Sequence, residues 1–164
     1  MKENVKQSIG SHLVNEGSVT IYEDKPYELD MSRKFYLFDV VPMGAVRMTQ
    51  SDKWKTNPNH LDPLKRQRKV VQRYFNMKNI VMQQAKEMGY VLDKTIDAVF
   101  LLPMPDSWSL KKKRRMNKMR HEVKPDWDNL AKGFCDALCK NDQQIYFGKI
   151  EKRWAFRGSI IVFA

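Results

Sequence analysis

The stretch ending at Gly89 constrains the fold more than any other part of the chain. Val70, Tyr74, Met77, Val81, Ala85 and Met88 recur three or four residues apart, so on a helix they form one apolar stripe. Asp62 is a good N-cap, Pro63 suits the first turn and Gly89 suits the stop. A helix over 62–89 is therefore predicted. A helix with one apolar stripe has to bury it against another element. The partners on offer are β-rich segments: 34–41, ending at Pro42, and 95–102, ending at Pro103 and Pro105. Segments 149–156 and 159–163 read as a hairpin turning at Arg157-Gly158. A second helix is predicted over 128–138, with Leu130, Phe134, Ala137 and Leu138 on its apolar face. The order strand, long helix, strand, short helix, hairpin specifies an α+β fold, a single mixed β-sheet with helices packed on it.

The rest of the chain is connection. Residues 44–54 read as a polar loop leading to Pro58, and 106–124 as a loop poor in apolar residues and dense in basic ones. Residues 1–32 are polar and weakly patterned apart from a short β-rich run at 19–22, so they form an N-terminal arm ahead of a domain over 33–164. There is no internal repeat. A chain of 164 residues, 42% of them apolar, is long enough to bury a real core. No apolar run approaches the roughly 20 residues that span a bilayer. The first fifteen residues lack the apolar stretch of a secretory signal, so a soluble, cytoplasmic protein without membrane partners is expected. Cys135 and Cys139, four apart on a predicted helix, are poorly placed for a strain-free bridge and read as reduced, buried or half-buried side chains. They have no second Cys/His pair at zinc spacing.

The formal net charge of +11 favours a polyanionic partner, of which nucleic acid is the commonest. A membrane surface or simple solubility are the alternatives from charge alone. The chemistry-bearing residues follow Pro125. Asp126 and Asp128 flank Trp127 where the chain turns from extended to helical. One carboxylate there is explained as a helix cap, since a helix N-terminus favours one negative charge. A second nearby is costly unless a cation such as Mg²⁺ or lysine stands between them. Magnesium takes oxygen ligands and is typically held by one or two carboxylates plus substrate phosphates. Asp-x-Asp alone leaves cap and metal site open.

Lys132, four residues after Asp128, would lie over the same turn, either as an ion pair with Asp128 or as a support for phosphate charge. Asp136, two turns on, reads as structural. Upstream, Lys111, Lys112, Lys113, Arg114, Arg115, Lys118, Arg120 and Lys124 form a basic approach to the acids. Such a run corrects the field of an acidic site and grips phosphates; elsewhere it would be a solvated loop.

Together these residues resemble the RusA family of Holliday junction resolvases. The resemblance is carried by Lys124-Pro125-Asp126-Trp127-Asp128-Asn129-Leu130, Lys132, Asp136-Ala137-Leu138 and Asp142-Gln143-Gln144-Ile145. Pro105-Asp106-Ser107-Trp108-Ser109 and Glu151-Lys152-Arg153-Trp154 resemble phage-borne members. The likeness covers 100–162 and is thinner over 35–54. It implies a homodimer in a bacterial or phage-infected cell that binds branched DNA at four-way junctions. It further implies symmetric phosphodiester cleavage in recombination and repair with Mg²⁺, for which Mn²⁺ can substitute. A two-fold protein suits such a substrate. The implied metal carboxylates are Asp126, Asp128 and Asp142, the implied essential lysine is Lys132, and Arg47 is a further candidate DNA contact.

The chain departs from the pattern at Asn141, where many members carry an acid, and at Trp127, which is bulkier than the usual aliphatic residue and either packs in the core, the favoured reading, or lies against DNA. Geometry adds a question. A helix over 128–138 is roughly 16 Å long, whereas the four steps from Leu138 to Asp142 reach at most about 14 Å. Asp142 meets the first two acids in its own chain only by a nearly direct return; the alternative is a site shared across the dimer. The competing functions are a basic DNA-binding or architectural protein without nuclease activity and a nuclease for flaps or branched forks.

Overall fold

The strand with the most buried residues lies inside the sheet. In the computed structural model, which describes residues 30, 32–50, 52, 68–139 and 141–164, β1 (Phe35–Phe38), β2 (Thr95–Pro103), β3 (Phe147–Ala155) and β4 (Ser159–Phe163) form one four-stranded sheet. Its order is β1-β4-β2-β3, with β2 parallel to β3 and antiparallel to β4, and β1 antiparallel to β4. Ile96, Ala98, Val99, Phe100, Leu101 and Leu102 of β2 are all buried. A run with no polar face is stable only where both faces are covered.

That preference overturns the expected hairpin. Both of its strands form, but β2 lies between them, so β3 and β4 pair with β2 and not with each other. The link between them passes against the chain after β1. A Cβ on Gly158 would stand 2.9 Å from the Cα of Val41, a gap that only glycine leaves open.

α1 (Lys69–Met88) packs its stripe on one face of the sheet, burying Val71, Tyr74, Met77, Val81 and Ala85. Gly89 ends it in the left-handed conformation at φ 65°, as its sequence position predicts. The start differs from expectation. The helix begins at Lys69 after an extended Arg68, and Val71 takes the core position predicted for Val70. Asp62 and Pro63 lie outside the described residues, as does the β-rich run at 19–22. Arg68 is held by Asp52, which is 1% exposed: its Nη2 donates to Oδ2 at 2.6 Å, and the N–H and hydroxyl of Thr49 donate to the same oxygen. This clamp fixes the loop after β1 to the start of the helix.

α3 (Trp127–Leu138) lies beside α1, burying the predicted Leu130, Phe134 and Ala137, with Leu138 half-buried. Cys135 is buried and Cys139 half-buried, both as free thiols. Phe134 meets Phe38 and Phe100 edge-on, with ring centroids 5.1 and 6.3 Å away, a favoured aromatic geometry. A Cβ on Gly133 would stand 2.5 Å from the Met43 carbonyl, so glycine is what lets the 43–45 segment lie against α3. The Ala45 N–H then donates to the Asn129 carbonyl at 2.9 Å.

The basic segment is not the expected loop throughout. Its centre forms α2 (Leu110–Met116), capped by Ser109, whose hydroxyl accepts from the Lys112 N–H. No residue of α2 is buried. Residues 118–121 then run antiparallel along β3: the Lys118 N–H donates to the Trp154 carbonyl, Trp154 N–H to Met119, and His121 N–H to Lys152. The opposite sheet face carries a second apolar cluster of Phe35, Val99, Leu101, Ala155, Ile161 and Phe163.

Candidate active site

The aspartate pair sits at the start of α3. The Lys124–Pro125 peptide is cis. Asp126 follows as the extended N-cap residue, and its carbonyl accepts the Leu130 N–H at 3.1 Å. Its carboxylate makes no capping hydrogen bond. Asp128 lies in the first turn, and both carboxylates are exposed, without a hydrogen bond or ion pair among the described residues. The helix dipole favours negative charge at this end, but neither side chain is spent as a cap. Trp127 between them is 59% exposed, which corrects its expected place in the core. The pair follows helical geometry: with Leu130 and Phe134 facing inward, the first turn's other positions point to solvent.

One further side chain anchors the lead-in, and sequence reading misses it. Lys152 of β3 donates from Nζ to the carbonyls of Val123 and Pro125, each at 2.8 Å. Its only sequence signal is its place in the Glu151-Lys152-Arg153-Trp154 run. The Asp52–Arg68 clamp is missed as well, for want of any local pattern linking residues 16 apart.

Asp142 belongs to a second cluster. It opens the short 3₁₀ turn Asp142–Gln144, whose cap is the Asn141 side chain accepting from the Gln143 N–H. Lys132 Nζ lies 3.0 Å from Asp142 Oδ2 and 3.6 Å from Asp136 Oδ1. The lysine therefore leans towards the helix C-terminus, and the pairing with Asp128 open to it on sequence is not made. The hydrogen bond from Lys132 holds the Asp142 carboxyl below its ordinary value, and Asp142 in turn raises Lys132. Asp136 also accepts from the buried Tyr74 hydroxyl at 3.0 Å, tying α3 to α1, in keeping with a structural part.

Nearby, burial pushes the Cys135 thiol up to about 12, so it stays protonated. The four predicted residues are thus arranged as two pairs, Asp126 with Asp128 and Lys132 with Asp142. Among the described residues no three His, Cys, Asp or Glu side chains gather as a metal-binding group.

The basic residues divide by exposure. Lys111, Lys112, Arg114 and Arg115 are exposed on α2, and Lys113 is half-buried, 3.9 Å from Asp106. Lys112 Nζ stands 4.0 Å over the Trp108 ring, a cation–π distance. Trp108 packs in turn on Trp154, with centroids 4.9 Å apart. Arg120, Lys124 and Arg47 are exposed, and the Arg47 carbonyl accepts from Arg68 at 3.1 Å.

Lys118 departs from this set and corrects the expectation of a DNA contact. It is 3% exposed, at φ 65°, with its ammonium buried and unpartnered. Burial pushes it down to about 8. The strand-like pairing of its backbone with Trp154 fixes the residue against the sheet edge, away from the exposed face of α2. His121, three residues on, stacks on Trp154 at 4.0 Å, and burial also lowers it.

Comparison with protein-family models matches residues 40–163 to Endodeoxyribonuclease RusA. No curated protein and no solved structure matches the chain. No helix among the described residues is long and apolar enough to cross a membrane. The match begins just after β1 and takes in the other three strands, α1, α2, α3 and both pairs of site residues. The chain belongs to the RusA family of endodeoxyribonucleases, enzymes that resolve Holliday junctions by cutting phosphodiester bonds in branched DNA.

Proposed function

We propose that Asp126, Asp128 and Asp142 bind Mg²⁺, with Mn²⁺ able to replace it, and that Lys132 supports charge at the cleaved phosphate. The observation that carries this reading is the pair of solvent-facing carboxylates at the head of α3, left without a protein partner among the described residues. In a chain of net charge +11, two acids at one spot with no lysine or arginine on them among the described residues leave a place open to a cation from outside. Their oxygens are the donor type that Mg²⁺ takes, and the open side leaves room for waters and a substrate phosphate. When bound, the ion supplies polarisation of the scissile phosphate and a more acidic water.

The chain's own groups do the rest. The exposed lysines and arginines of α2, with Arg120, Lys124 and Arg47, grip flanking phosphates and offset the acids' repulsion of DNA. Lys132, steered by Asp142 and Asp136, keeps an ammonium beside the third carboxylate, where charge builds as the phosphate is attacked. The enzyme works as a homodimer in the cytoplasm, two copies of the site serving a near-symmetric junction, with residues 1–32 as an extension ahead of the nuclease domain.

The test is a four-way junction incubated with Mg²⁺ and either wild type or Asp128→Asn. Cleavage by the variant falls by more than the roughly 10–100-fold typical of losing a metal's outer-shell partner, while junction binding in Ca²⁺ is kept. Loss of binding and cleavage together refutes the assignment of Asp128 to the metal. Flap and linear duplex substrates run alongside; equal cutting of flaps would favour a general branched-DNA nuclease.

A further inference from the structure

We propose that Lys152 is a positioning residue for the Asp126–Asp128 pair, setting its metal affinity from the sheet side. The inference rests on the reading that this pair binds a divalent ion. Lys152 lies on β3 opposite Phe100 of β2, in the interior of the nine-residue parallel ladder, which fixes its backbone on that side. From that platform it holds the lead-in to the site at both ends. Its carbonyl accepts the His121 N–H at 3.0 Å, and its ammonium donates to the carbonyls of Val123 and Pro125 at 2.8 Å.

The Pro125 carbonyl belongs to the peptide unit that supplies Asp126 with its nitrogen. The next carbonyl, that of Asp126 itself, is fixed by the Leu130 N–H of α3. Asp126 therefore sits between one peptide held by Lys152 and one held by the helix. With both flanking peptides fixed, its φ and ψ are fixed, and with them the direction in which its carboxylate leaves the backbone. A half-buried ammonium on two carbonyls is a strong, charge-assisted anchor. A lysine whose only task was to tie a loop to the sheet would affect stability and leave metal affinity unchanged. Groups that orient ligands from behind typically change metal affinity or activity by 10–100-fold when removed.

The experiment titrates full-length protein with Mn²⁺ alone, without DNA, following free Mn²⁺ by electron paramagnetic resonance, with fold checked by circular dichroism. Lys152→Met is expected to weaken Mn²⁺ binding by about 10-fold or more. Lys152→Arg, which keeps charge and donors, should restore most of the affinity. In junction cleavage, the Mg²⁺ concentration at half-maximal rate should rise with the same ranking. Should Lys152→Met fail to fold, Lys152→Gln carries the comparison, since it keeps a donor and loses the charge. Wild-type Mn²⁺ affinity in folded Lys152→Met, together with weakened affinity in Asp128→Asn, overturns the positioning role and leaves the site in place. Wild-type affinity in Asp128→Asn overturns the site itself, and the role of Lys152 with it.

Discussion

Lys118 offers a direct measure of what burial costs this fold. Its ammonium is enclosed without a partner, and burial holds the group at about 8 against an ordinary 10.5. That difference corresponds to about 3 kcal/mol against the charged form. The sign follows from proton uptake. Below about pH 8 the ammonium is charged in both the folded and unfolded chain, so the full cost is present. Between about 8 and 10.5 the folded chain releases the proton while the unfolded chain keeps it, and stability rises with pH. Above that window the cost is gone. Lys118→Met keeps the apolar stem and the φ 65° backbone, so strain at that residue cancels in the comparison. The variant should be favoured over wild type by about 3 kcal/mol more at pH 7 than at pH 10.5. Exchanging lysine for methionine packing adds a pH-independent offset of less than about 1.5 kcal/mol. Urea denaturation followed by circular dichroism at several pH values between 7 and 10.5 yields the two curves. A stability difference that stays flat across that range would refute the buried, charged Lys118.

Gly133→Ala should destabilise by about 1–3 kcal/mol in a thermal or urea melt. The new Cβ would meet backbone on both sides, 2.5 Å from Met43 O and 3.1 Å from Ala45 N, which cannot swing aside as a side chain would. On junction DNA, Lys111→Gln with Arg114→Gln and Arg115→Gln should flatten the plot of log affinity against log salt by about 0.9 for each phosphate no longer neutralised. Lys118→Met should leave that slope unchanged in the same filter-binding or anisotropy titration, because its ammonium does not reach the surface.

The helices are readable from sequence because their periodicity records a local fact, which side of a cylinder is apolar. Leu130, Phe134 and Ala137 lie where the pattern predicts for that reason, and Gly89 marks the stop of α1 because its backbone conformation suits glycine. The shift from Val70 to Val71 comes from outside the pattern, where the Asp52–Arg68 clamp sets where α1 begins. Strand order is unreadable because it is settled by competition for the centre of the sheet. Two strands joined by a short turn would ordinarily pair, but β2 needs cover on both edges and both faces. Lys118 and Trp127 depart from expectation in opposite directions for one cause. Charge and size give a preference for surface or core, and the backbone pairing along β3 and the first turn of α3 override each preference.

The distribution of partners among the four site residues says more about mechanism than their spacing does. In the +11 field of this chain an acid finds a cation easily, and Asp142, Asp52 and Asp97 each have one within 3.0 Å. Asp126 and Asp128 have none among the described residues, although Lys132 is within a turn or two and long enough to lean towards the head of α3. Asp136 and Asp142 draw it the other way, and Tyr74 holds Asp136 where it can do so. The arrangement keeps the protein's own ammonium off the two carboxylates while keeping it close to the third. A lysine paired with Asp128 would compete with a divalent ion for that acid's oxygens; paired with Asp142 it leaves Asp126 and Asp128 open and occupies one oxygen of the third acid alone. Under the proposed metal assignment, Asp136 takes part by holding Lys132 away from the two open acids.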